Sequence, residues 1–133
     1  MEEIHVSVEI VLFEKLRGDA GIGALAGGRV YPKIAPQDAK YPCVTFFRVS
    51  RQVFSAFGAD ASVEKGRFQI DAWAKTYREA TELREAIKTA LQRWKDGASS
   101  PPLHDCFIIS ALDLYEDDAK IHHHVTDIEL AYG

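Results

Sequence analysis

Cysteine is scarce in this chain: there are two, Cys43 and Cys106, and they form no CxxC pair. A disulfide-stapled scaffold and a CxxC zinc or redox site are therefore not expected. Two small buried thiols in a reducing compartment are. Whether the two sulfurs meet in space is not legible from their spacing. Long apolar runs are missing as well, and nothing approaches the roughly 20 residues a membrane-spanning helix needs. Positive charge is not in excess, since the formal net charge is −4; a broad surface for nucleic acid, sequence-specific or not, is not expected. Gly27-Gly28-Arg29 lacks the Lys-Ser/Thr ending of a phosphate loop. The start, Met1 to His5, carries Glu2 and Glu3 where a secretory signal would carry Lys or Arg, so synthesis and residence in the cytoplasm are expected.

What is present describes one globular domain spanning 1–133, with 47% hydrophobic residues over 133 positions. Val8, Leu12 and Leu16 recur at helical spacing, with Ser7 as a start and Gly18 as a stop. A short second helix is predicted from Asp19 to Ala26, ended by Gly27-Gly28. The stretch from Arg29 to Pro42 holds three prolines and reads as a loop. Cys43–Phe54 and Val63–Lys75 read as two long strands of a hairpin. In the second, Phe68, Ile70, Ala72 and Ala74 share one face, and Trp73 is the exception on the polar face. Thr76 and Glu79 form a capping box that opens a long helix carrying Ala80, Leu83, Ile87, Leu91 and Trp94 on one stripe, with Gly97 at its expected end.

Two further strands are predicted, Asp105–Tyr115 and Lys120–Tyr132, joined by the acidic turn Glu116-Asp117-Asp118. The first places Ile108, Leu112 and Leu114 on one face and Phe107, Ile109 and Tyr115 on the other. A strand apolar on both faces is either central or covered by a partner. The second slips in phase, which a bulge near Thr126-Asp127 would reconcile. The expected fold is α+β, in the order α-α-β-β-α-β-β, with a four-stranded antiparallel sheet and helices packed on one face.

His122-His123-His124 invites a metal reading. On a strand only His122 and His124 share a side, and they would need a further ligand from elsewhere. The plainer expectation is a polar strand face, with no metal and no cofactor. The enzyme alternative is a small metal- or thiol-dependent catalyst built on His122 and His124, with Cys106 as a thiol. More informative are Phe54 and Phe57, at or beside the hairpin tip, where a monomer would place polar residues. Together with Arg51, Trp73, Phe107 and Tyr115 they are the candidate subunit-interface residues; no catalytic residue is nominated.

The order of short segments resembles the tail completion proteins (head-to-tail joining, or tail terminator) of long-tailed bacteriophages and prophages. It is carried by Gly28-Arg29-Val30-Tyr31-Pro32, then Tyr41-Pro42-Cys43-Val44, then Ala72-Trp73-Ala74 followed by Glu79-Ala80, and the closing Ile128-Glu129-Leu130-Ala131-Tyr132. The histidine triplet is no part of that pattern. The resemblance implies a non-enzymatic virion subunit, made in the host cytoplasm and resident in the virion tail. It would form a homo-oligomeric ring, often a hexamer, that ends the tail tube and joins it to the head connector protein.

Overall fold

The computed structural model describes residues 7–55 and 62–133, with side chains from 8–50 and 63–133. Among these residues three helices, α1 (Ser7–Gly18), α2 (Ala20–Ala26) and α3 (Tyr77–Leu91), accompany five strands: β1 (Val30–Pro32), β2 (Cys43–Ser55), β3 (Ser62–Ala74), β4 (Leu103–Glu116) and β5 (Ile121–Tyr132). The strands form one sheet in the order β1-β2-β3-β5-β4. It is therefore five-stranded and mixed rather than four-stranded and antiparallel: β1 pairs parallel to Val44–Phe46 of β2. Pro32 did not prevent this strand, because a proline is tolerated at the end of a short edge strand.

The helices cover one face. Val8, Leu12 and Leu16 of α1, Ile22 and Ala26 of α2, and Leu83, Ile87 and Leu91 of α3 pack on Val44, Phe46, Phe68, Ile70, Ala72, Ile128 and Leu130. The alternation expected for β3 holds, since Phe68, Ile70, Ala72 and Ala74 are all fully buried. At the start of α2, Asp19 accepts a hydrogen bond from the Ile22 amide at 3.0 Å, and Gly27 closes the helix in the left-handed conformation. Thr76 caps α3 by accepting from the Glu79 amide at 3.1 Å, while its hydroxyl donates to Glu79 Oε1 at 3.2 Å. The end of α3 is earlier than expected: Gln92 is its cap and Arg93 takes the left-handed turn, so Trp94 lies beyond the helix and Gly97 is not its stop.

β5 is straight. It pairs with β3 without interruption from Ile128 opposite Phe68 to His122 opposite Ala74. The bulge expected near Thr126-Asp127 is instead in β4, where the register shifts between Ile108 and Ser110. The shift changes which β4 residues share a face. Phe107, Leu112 and Leu114 stand opposite Glu129, Val125 and His123, on the face that no helix covers among the described residues. Ile108 and Tyr115 stand opposite Ile128 and His122, on the helix face. β5 has apolar residues on both faces because it is central.

Candidate functional site

The histidine triplet divides between the two faces. His124 is buried at 1% exposure, which corrects the expectation of a polar strand face. Its ring meets Tyr77 edge-on at 5.2 Å, and Tyr77 also meets His122 at 5.8 Å. Tyr115 packs on His122 at 4.7 Å, while the His122 and His124 rings are perpendicular, with centroids 6.3 Å apart. Among the described residues neither His124 ring nitrogen has a hydrogen-bond partner. Asp113 lies 3.6 Å from Nδ1, but it is held by Arg84 of α3. Burial lowers the His124 pKa against the pull of Asp113. These are the contacts of a packed aromatic cluster, and among the described residues no group of three His, Cys, Asp or Glu side chains is placed to hold an ion.

His123 faces the other way. Its ring lies flat on Trp73, with centroids 3.7 Å apart, and its nitrogens lie between two carboxylates: Nε2 is 3.4 Å from Asp71, Nδ1 is 3.4 Å from Glu116. The Asp71 contact is a charge contact without hydrogen-bond geometry, as Nε2 has no hydrogen-bond partner among the described residues. Burial works against charge on His123, yet the two carboxylates outweigh it and the pKa is raised. The network runs further along this face. The Trp73 indole donates to Thr45 Oγ1 at 2.8 Å, the Thr45 hydroxyl reaches Asp71 at 3.4 Å, and Gln69 donates to Asp71 at 2.9 Å. It ties β2, β3, β5 and the end of β4 together. Sequence reasoning missed it; the one signal was Trp73, whose indole N–H needs a partner wherever the ring is half-buried.

Cys43 stands directly across the strand pair from Trp73, but the thiols take no part in this network's chemistry. Cys43 and Cys106 are free and buried. Burial raises their pKa values to about 11 and about 12. Both are thiols rather than thiolates near neutral pH, unlike a catalytic nucleophile.

The interface candidates are spread over the sheet. Phe107 is exposed on the open face with the Arg93 guanidinium over its ring at 4.6 Å. Tyr115 is exposed beside His122 at the far end of the same strand. Trp73 is half-buried in the network above. Arg51 and Phe54 take register opposite Gly66 and Val63 in the long β2–β3 arm, and their side chains lie outside the described part. Phe57 lies outside the described residues.

What stands out is β4. It is an edge strand, with β5 its one strand neighbour among the described residues, which removes the central alternative for a strand apolar on both faces. Phe107, Ile109, Leu112, Leu114 and Tyr115 are 38–57% exposed. A run of this kind on a sheet edge is an invitation to another chain. At the opposite edge, α1 and β2 border an apolar groove of about 430 Å³ lined by Ile10, Phe13, Pro32 and Phe46, with Lys33 and Arg48 beside them.

The sequence matches the family described as tail completion protein gp17 over residues 10–133. Among solved structures, a chain in the virion of a native gene transfer agent particle has the same fold, with a TM-score of 0.74 at 18% identity, covering 97% of this chain and 96% of that one. No curated protein matches the sequence significantly.

Proposed function

The chain belongs to the bacteriophage tail completion family, structural parts of the virion, and we propose that it forms a homo-oligomeric ring at the head-proximal end of a phage tail. In this reading the ring ends the tail tube and joins it to the head connector, after assembly in the host cytoplasm. The observation that carries the reading is the exposed, doubly apolar β4 at the sheet edge. A monomer that stayed a monomer would guard such an edge with charge, proline or a covering loop. Closed rings use two different patches on each subunit, one meeting the other on the neighbour. Phe107 and Tyr115 belong to one such patch, and the β2–β3 pair with Arg51 and Phe54 supplies residues for the second and for the tube and connector; Trp73, at the other end of β3, and Phe57, outside the described residues, are the remaining interface candidates. No observation favours a metal- or thiol-dependent enzyme at His122 and His124: their rings are occupied by aromatic packing, and both thiols are held protonated.

The test is native mass spectrometry of the full chain, alone at high concentration and mixed with isolated tail tubes. A discrete oligomer, or saturable binding to tube ends, is expected. A chain that stays monomeric in both and binds neither tubes nor connectors would overturn the reading.

A further inference from the structure

Both edges of the sheet are covered at one end and open at the other. On β2, strand β1 and the Lys33 amide occupy the backbone of Val44–Phe46, and among the described residues nothing pairs with that edge from Phe47 to Ser55. On β4, the loop after α3 caps the beginning, with Asp96 bridging Leu103 and the Arg93 amide donating to the Cys106 carbonyl. From Phe107 to Glu116 the outer edge of β4 is open among the described residues. The two open stretches are of similar length. They run in opposite directions within the sheet, because β2 is antiparallel to β3, β3 to β5, and β5 to β4.

We infer that the open half of β4 adds antiparallel to the open half of β2 on a second copy of this chain, seating Tyr115 in the groove between that copy's α1 and β2. The inference rests on the ring reading and specifies its joint. Copies related by a rotation keep their orientation, so β4 of one meets β2 of the next antiparallel without either turning over. Tyr115 lies on the helix face, the side on which α1 walls the groove. Charge agrees as well. Glu116, Asp117 and Asp118 load the end of β4 with carboxylates, and antiparallel addition brings that end to Lys33 beside the groove, where Arg48 is already paired with Glu9. Within one subunit the open halves are offset along the strands by roughly five residues, ~17 Å at ~3.3 Å per residue. Against a lateral repeat of four strands, roughly 19 Å, aligning them inclines the strands by about 40° to the ring axis, within the tilt of closed barrels.

The test is cross-linking of the full chain under assembling conditions, with Ile10→Cys and Tyr115→Cys and a short bismaleimide. Both positions are exposed, while the native Cys43 and Cys106 are fully buried. Mixing the two single variants should give covalent dimers, each single variant alone should give none, and the double variant should give a ladder ending at the ring's full size. A ring seen by native mass spectrometry without these cross-links would place the joint elsewhere and overturn the inference while leaving the ring reading intact. Dimers from Tyr115→Cys alone would mean symmetric edge pairing and would also overturn it. No oligomer under any condition would remove the ring reading and the joint with it. As a check independent of cross-linking, Tyr115→Lys, which also removes the packing on His122, should weaken association of the folded chain at least tenfold; association unchanged would contradict the seat proposed for Tyr115.

Discussion

β5 and β4 are neighbours of similar length, and each carries large apolar side chains on both of its faces. Ile128 and Leu130 of β5 are fully buried under α3, and Val125 is buried on the other face. Leu112, opposite Val125, and Leu114, two residues further along β4, stand in the open. The pattern of hydrophobicity is the same; the position in the sheet is not. A central strand is walled by two neighbours and by the helices, whereas an edge strand has one neighbour and a row of unmet backbone groups. The difference teaches that apolar residues in this fold have two uses, one closed within the subunit and one held for contact between subunits.

Four substitutions sharpen or break that comparison. Ile128→Ala should cost about 2–5 kcal/mol in denaturant unfolding, because it opens a cavity in a core that cannot collapse around it. A cost well under 1 kcal/mol would mean that the helix layer is loosely held. Gly66→Ala should cost about 1–3 kcal/mol by overpacking. A methyl there would sit 3.1 Å from the Phe68 ring and 3.4 Å from both Arg48 and Tyr132, and Phe68 is fully buried with little room to yield. Its effect should appear in the melting temperature of the dilute monomer as well as of the oligomer.

His123→Gln tests the open face and depends on pH. The folded pKa of His123 is raised, so its charged contacts with Asp71 and Glu116 are fully present below the unfolded value near ~6.5 and are lost as pH rises through the folded pKa. The wild type should therefore exceed the variant in stability most at acidic pH, with the gap closing above neutrality. A gap that widened with rising pH would contradict the arrangement. Leu112→Ala should have the smallest effect on the monomer, within about 0.5 kcal/mol, as expected for an exposed position. Its effect should instead be on association, measured by sedimentation at increasing concentration.

Much of the subunit was legible in the sequence. The capping threonine of α3, the buried parity of β3 and the extents of the long hairpin follow from short-range chemistry. The strand β1 was not legible, because three residues are too few for a periodic signal and Pro32 argues against a strand. The true bulge was misplaced for a related reason. A phase slip can be read within one strand, but whether it marks a bulge or a strand buried on both faces depends on neighbours that only the fold supplies. Phe107 and Tyr115 could be named as exposed aromatics from the pattern of β4. The network of Asp71, Thr45, Trp73 and His123 could not, since its members come from three strands brought side by side by register. The buried His124 shows the same limit: nothing local in three consecutive histidines says that Tyr77 closes over one of them.

The most direct measurement is amide hydrogen exchange of the wild-type chain, compared between dilute monomer and assembled oligomer. Amides of residues 107–116 and 47–55 should gain protection together on assembly, while the core amides of β3 and β5 stay as they were. An oligomer that forms while both edges continue to exchange as fast as in the monomer would contradict the claim that these edges join one subunit to the next.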